Sequence, residues 1–84
     1  MDEETCSEET YTLLTPIGGV TEIGLREPTL DELAKLSDDA QRFGNVRAMK
    51  NLLATMTGIE IASIGRMGAR DFTHCNKFIS AFFE

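Results

Sequence analysis

The stretch TEIGLREPTLDELAKL, residues 21–36, contains the change from strand to helix that decides the fold. Thr21, Ile23 and Leu25 alternate with residues that are polar or Gly, which is the period-2 pattern of a strand with one buried face. Pro28 then ends the strand, because it has no N–H to donate and restricts the residue before it. The stretch therefore predicts a strand that leads directly into a helix.

A capping-box motif marks the start of that helix. Thr29 and Glu32 form the T-x-x-E pattern, in which each side chain accepts a hydrogen bond from the backbone N–H of the other residue. The apolar spacing beyond it predicts a helix over residues 30–42. The residues expected on its buried face are Leu33, Leu36, Ala40 and Phe43, with Leu30 beside them.

The opposite face of this helix is predicted to be solvated. Asp31 precedes Lys35 by four residues and Asp38 precedes Arg42 by four, which is the favourable order for ion pairs on a helix surface. The adjacent Asp38 and Asp39 are interpreted as part of this solvated face rather than as a catalytic pair.

A β-hairpin is predicted to precede the helix. Residues 9–17 alternate and indicate a first strand, with Pro16 at an edge or near the end of that strand. Gly18 and Gly19 are a strong turn signal because both accept positive φ without steric cost, and residues 20–27 return as the second strand. A two-stranded sheet is only marginally stable alone, so helices must cover one of its faces.

Further helices are predicted downstream. One spans residues 46–57 with Asn45 as its N-cap, and a shorter, less regular one spans residues 59–67. Asp71 is expected to cap a final helix. The fold class is therefore α+β, with an N-terminal two-stranded β-hairpin followed by three to four short α-helices. The residues expected on the apolar stripes of the second and last helices are Val46, Met49, Leu52, Leu53, Met56, Phe72, Cys75, Phe78, Ile79, Phe82 and Phe83.

Charge is unevenly distributed along the 84 residues, whose net charge is −6. Residues 1–9 carry five acids and no base and are expected to form a disordered acidic tail. Residues 10–84 are expected to form a single small α+β domain, within which residues 40–77 carry six bases and two acids. No secretory signal and no apolar run of membrane-spanning length are visible. With only two cysteines, Cys6 and Cys75, the sequence favours a reduced, cytosolic chain over a disulfide.

The sequence contains no recognisable catalytic or metal-binding motif. His74 and Cys75 are adjacent, so on a helix their side chains point about 100° apart and do not form a chelating pair. His74 is interpreted as a surface residue and Cys75 as a core residue. The glycines at 65 and 68 lack the Lys and Ser or Thr of a phosphate-binding loop. We therefore expect no enzymatic activity, no cofactor and no metal site.

Several segments together resemble a known family. The segments LTPI at residues 14–17 and IGLREPT at residues 23–29 resemble the opening of the tail assembly chaperones of long-tailed bacteriophages, in the Mu-like branch with contractile tails. Asp71 and the closing FISAFF at residues 78–83 follow the same family's pattern of hydrophobic helices around an aspartate. One departure is Glu60, which stands where many members have Pro.

The resemblance implies a small, non-catalytic protein that acts in the host cytoplasm and is not a component of the mature virion. It implies binding to the tape-measure protein, which the chaperone keeps soluble until tail tube subunits polymerise around it. The resemblance also makes the tail tube protein a possible partner and self-association a possible mode of binding. Nucleic acid and membrane are not expected partners.

Two other interpretations stay open. One is a small dimeric adaptor or regulatory protein of a phage or prophage, which acts by protein–protein contact through the hairpin edge and the aromatic last helix. The other is a small nucleic-acid-binding protein. This interpretation depends on the excess of basic residues in residues 40–77, and the sequence contains no recognised nucleic-acid-binding motif.

The end of the last helix is the candidate partner-binding surface. Its apolar stripe is the widest in the chain, and the bases that flank it favour an acidic, helical client. The competing interpretation is that the aromatic rings pack entirely within the core. The candidate residues are Phe78, Phe82, Phe83, Arg66, Arg70 and Lys77.

Overall fold

The computed structural model describes residues 8–82, which form an antiparallel β-hairpin followed by four helices. The prediction of an α+β fold is therefore confirmed. The elements are β1 (Glu8–Ile17), β2 (Val20–Arg26), α1 (Leu30–Phe43), α2 (Asn45–Thr57), α3 (Ile61–Ile64) and α4 (Ala69–Ser80).

The hairpin closes through the predicted two-residue turn. Gly18 and Gly19 have φ values of 54° and 83°, and Ile17 pairs with Val20 across them. Positive φ at both central residues is the requirement of the turn type that best matches the twist of a hairpin. The turn signal in the sequence therefore identified both the position and the length of the connection.

β1 is irregular just before this turn. The pairing is regular from Glu8 opposite Arg26 to Thr12 opposite Glu22, and then shifts before Ile17 pairs with Val20. β1 therefore has extra residues that have no regular partner on β2. A bulge of this kind leaves backbone N–H groups that need acceptors outside the ladder.

The capping box joins the hairpin to α1 as predicted. Glu32 N donates to Thr29 Oγ1 at 3.2 Å, and Thr29 N donates to Glu32 Oε1 at 2.9 Å. The guanidinium of Arg26, at the end of β2, donates to both oxygens of Glu32 at 2.8 Å each. Chiefly because of these bonds from Arg26, the pKa of Glu32 falls to about 2. A bidentate ion pair thus fixes the end of the strand to the first turn of the helix.

The core lies between the buried face of the hairpin and the helices α2, α3 and α4. α1 contributes no fully buried apolar side chain, since its apolar residues are at most half-buried and it packs mainly along α2. The buried core residues are Leu13, Ile17, Ile23, Leu25, Met49, Leu52, Leu53, Ile64, Cys75 and Ile79.

Several predicted boundaries are corrected. β1 begins at Glu8, one residue before its predicted start at residue 9, and the backbones of Glu8 and Glu9, which also fell within the expected acidic tail, pair with β2. Residues 1–7 lie outside the described residues. α2 begins at Asn45 with Gly44 as its N-cap, and no side chain caps it. α3 is a single turn, shorter than the predicted segment.

Three residues assigned to buried stripes are exposed. Leu30, Phe43 and Val46 have exposed fractions of 81%, 51% and 68%. Leu30 lies at the first position of α1, whereas Phe43 and Val46 flank the corner at Gly44 between α1 and α2. The guanidinium carbon of Arg47 lies 5.1 Å from the centre of the Phe43 ring. Among residues 8–82, no further element covers these positions at the helix ends.

The predicted solvated face of α1 is also corrected. Asp38 pairs with Arg42 at 3.4 Å as expected, but Lys35 pairs with Asp39 at 3.0 Å. Asp39 is buried and accepts a second hydrogen bond, of 3.2 Å, from Asn51 of α2. These bonds, that from Lys35 first, lower the pKa of Asp39 despite its burial. The residue therefore fixes α1 against α2.

Candidate functional site

Asp71 connects the first turn of α4 to the irregular part of β1. Its Oδ1 accepts hydrogen bonds from the Tyr11 hydroxyl at 2.8 Å and from Leu14 N at 3.0 Å. Its Oδ2 accepts from Leu14 N at 3.1 Å and from Thr15 N at 3.2 Å. The carboxylate therefore supplies the acceptors that β2 does not offer at the bulge. We call this arrangement the Asp71 clamp.

The electrostatics of the clamp favour an ionised carboxylate. Asp71 has an exposed fraction of 1%, and this burial raises its pKa. The hydrogen bonds from Leu14 N, the Tyr11 hydroxyl and Thr15 N outweigh that effect, so that the net pKa is lowered. The hydrogen bond that the Tyr11 hydroxyl donates to Asp71 raises the pKa of Tyr11. Asp71 is therefore an ionised carboxylate whose hydrogen bonds hold α4 against β1.

The sequence predicts a different role for Asp71. It was expected to cap the last helix, but α4 begins at Ala69 with Gly68 as its N-cap. Asp71 lies in the first turn, and its carboxylate faces β1, which is 56 to 60 residues away along the chain. A local motif cannot reveal a partner at that distance. The one available signal was Pro16, which predicts an interruption of the ladder near the end of β1.

His74 is more constrained than a surface residue. Its ring stacks on Tyr11 with the centroids 4.0 Å apart and the planes 11° apart. Its Nε2 lies 2.9 Å from Oε2 of Glu9. His74 thus extends the contact between α4 and β1 that the Asp71 clamp begins. The adjacent Cys75 is a buried thiol in the core, as predicted, and burial raises its pKa to about 11.

The candidate partner-binding residues, which lie on α4 or beside its ends in the sequence, fall into two groups. Phe78 and Phe82 lie edge to face with their ring centres 5.3 Å apart, and both are half-buried. Phe78 also packs against the core cluster. Phe83 lies outside the described residues. The cations Arg66, Arg70 and Lys77 are all exposed.

An open groove runs along the side of α4 that carries Asn76 and Ser80. α4 and α1 form its two walls, and α2 forms its floor. Its cavity volume is about 470 Å³. The apolar part of its lining comes from Leu33, Leu36 and Ala40 of α1 and from Ala48 and Met49 of α2. These α1 residues are the stripe that the helical period predicted to be buried, and they are half-buried because α4 does not close over them.

The polar part of the groove lining is uncharged. It consists of Ser37 on α1, Asn45 at the start of α2, and Asn76 and Ser80 on α4. These side chains can donate and accept hydrogen bonds without the desolvation cost of a charge. We refer to the whole feature as the α1–α4 groove. Sequence reasoning missed it because it depends on the distance between two helices.

Other depressions on the surface carry charge. The one at the hairpin edge includes Glu8, Glu9 and Arg26, and the one between α2 and α4 includes Lys50. Among residues 8–82, no group of three or more acidic, His or Cys side chains is arranged to hold a metal ion. Within the same range, none of the helices has the length and apolar character required to cross a bilayer.

A comparison with protein-family models gives a match that spans the whole of the expected domain. The model described as "Phage tail assembly chaperone proteins, E, or 41 or 14" matches residues 10–84. Comparison with curated proteins and with solved structures gives no match.

Proposed function

The chain belongs to the phage tail assembly chaperone family, and we propose that it binds the tape-measure protein and keeps it soluble and assembly-competent during tail tube formation. We propose further that it acts without catalysis, in the host cytoplasm, and that it is absent from the mature virion. The tail tube protein is a second candidate partner, which the chaperone would meet when the tube polymerises.

The observation that carries this proposal is the α1–α4 groove. A helix stripe of Leu33, Leu36 and Ala40 normally buries itself against the core of its own domain, but here it remains half-exposed beside an open cavity. Exposed apolar surface of this kind commonly marks a site of protein–protein interaction. A chaperone needs such surface in order to cover the apolar segments of a client that has not yet assembled.

The end of α4 remains a second proposed contact. Phe78 and Phe82 form an aromatic edge there, and Lys77 adds an exposed positive charge that favours an acidic client. At 100° per residue, Phe78 points about 200° away from both Asn76 and Ser80 on the helix. The aromatic edge and the α1–α4 groove therefore lie on opposite sides of α4 and can be tested separately.

The proposal is tested by co-expressing the chain with the tape-measure protein encoded alongside it. We expect the soluble fraction of the tape-measure protein to rise when the chain is present and the two proteins to co-purify. A second arm replaces Phe82 and Phe83 with Ser, and here loss of solubilisation with a native far-UV circular dichroism spectrum supports the aromatic edge. An unrelated soluble phage protein of similar size serves as the control for expression load.

Two results would contradict the proposal. If the tape-measure protein is equally insoluble with and without the chain, the proposed client is wrong. If it is equally soluble in both cases, the client does not need this chaperone.

A further inference from the structure

We infer that the α1–α4 groove binds an α-helix of the client whose buried face is uncharged and whose flank beside α4 is acidic. The inference rests on the proposed function, since it names the client segment and the surface that receives it.

The shape of the groove fits a helix. Its walls are two helices, α1 and α4, and its floor is formed with α2, so an additional helix laid between the walls would extend the helical layer. Helices that pack together approach to about 8–10 Å between their axes, and an amphipathic helix in a groove anchors itself through residues at i, i+3, i+4 and i+7. A cavity of about 470 Å³ has room for several such side chains.

The lining determines the character of the face that enters. Within residues 8–82, all the side chains that line the groove are uncharged, both on the apolar floor and at the polar positions of its walls. A charged residue of the client that entered the groove would lose its hydration and find no ion partner there. The inserted face must therefore consist of apolar and small uncharged residues.

The charge beside the groove determines the flank of the client. Lys77 is exposed and lies between the two surfaces of α4, about 60° from Ser80 and about 100° from Phe78 around the helix, so it flanks the groove wall as well as the aromatic edge. Arg70 precedes Lys77 by seven residues and lies on nearly the same row of the helix. An acidic flank on the client helix complements this row, whereas a basic flank is repelled by it.

A pair of matched substitutions on α1 tests the inference. Ser37 lines the groove and Ala34 does not, yet both are exposed and both lie in the interior of α1. Replacing each with Arg introduces the same side chain three residues apart. In the co-expression assay, we expect Ser37→Arg to reduce the soluble tape-measure protein about tenfold or more, and Ala34→Arg to leave it unchanged.

The opposite wall of the groove provides a second variant. Asn76 is exposed on α4 and lines the groove, and Asn76→Arg should reduce solubilisation as Ser37→Arg does. Circular dichroism and thermal unfolding of the purified variants establish that each is folded. A photo-crosslinking residue placed at position 37 should capture a tape-measure segment that has helical periodicity and an uncharged face.

The outcomes separate this inference from the function on which it rests. If the wild type solubilises the tape-measure protein and both groove variants do so equally well, the groove is not the client site, although the function stands. If the wild-type chain is a dimer by light scattering and the variants become monomeric without loss of solubilisation, the groove binds a second copy instead. If the wild-type chain has no effect on the tape-measure protein, the function and the inference fail together.

Discussion

Replacing Asp71 with Ala tests whether the clamp holds α4 against β1. The substitution removes the acceptor for Leu14 N, Thr15 N and the Tyr11 hydroxyl at once. Hydrogen bonds to a charged group contribute about 1.5–3 kcal/mol each, and a buried donor left without a partner costs about 1–3 kcal/mol. After allowance for the desolvation that the carboxylate no longer suffers, we expect Asp71→Ala to lower the free energy of unfolding by about 3–5 kcal/mol.

That loss is large for a domain of this size. A chain of this length has a total free energy of unfolding of about 4–13 kcal/mol, so the variant loses a quarter of it or more. The midpoint of thermal unfolding should fall by at least about 12 °C. Asp71→Asn retains one oxygen acceptor and the side-chain volume, and should therefore lie between the wild type and Asp71→Ala. Urea and thermal unfolding at pH 7, followed by circular dichroism, measure both changes.

Asp38→Ala is the control for this experiment. Asp38 is also a helical aspartate, but it is exposed and its ion-pair partner is Arg42 at 3.4 Å. Its replacement should change the free energy of unfolding by no more than about 0.5 kcal/mol. If Asp71→Ala is no more destabilising than Asp38→Ala, the bulge in β1 does not depend on the carboxylate, and the account of the clamp is wrong.

Two further predictions concern the contacts that join the hairpin to the helices. The bonds from Arg26 lower the pKa of Glu32 from its ordinary value of 4.5 to about 2, so the stability contributed by the ionised carboxylate is complete above pH 4.5 and is lost as the pH falls towards 2. The difference in thermal midpoint between the wild type and Glu32→Gln should therefore shrink over that interval. A difference that stays constant would contradict the ion pair. His74→Ala should lower the thermal midpoint by a few degrees because it removes the stacking on Tyr11. His74→Phe retains an aromatic ring and should remain close to the wild type. Equal losses in the two variants would show that stacking is not the cause.

The parts of the fold that the sequence predicted are those determined by neighbouring residues. Gly18 and Gly19 specify the hairpin turn through their own φ values, and Thr29 and Glu32 complete a capping box within one helical turn. Each of these features is determined within four residues, so the surrounding protein does not change its interpretation. The order of hairpin and helices follows from the same local signals.

The features that were missed depend on distant contacts. Asp71 has the residue type of an N-cap, but its acceptors are needed by β1 at the other end of the chain. Asp39 has the spacing of a surface residue, but Asn51 of α2 lies within hydrogen-bonding distance. Helical periodicity gives the direction of Phe43 around its axis, and it does not indicate whether another element is present to cover that residue. The α1–α4 groove was missed for the same reason, because it depends on how far apart α1 and α4 lie in the fold.

The way in which α1 is attached explains how the groove can stay open. An amphipathic helix usually holds its position by burying its apolar stripe, and in that case the stripe is not available to a partner. In addition to its packing along α2, α1 is fixed by polar contacts, with Arg26 and Glu32 joining its first turn to β2, and Asp39 joining it to Asn51 of α2. These polar contacts do not involve the groove-lining residues Ser37 and Ala40. The domain can therefore keep α1 in place while the rest of its apolar stripe remains available, which is what the binding of a client helix requires.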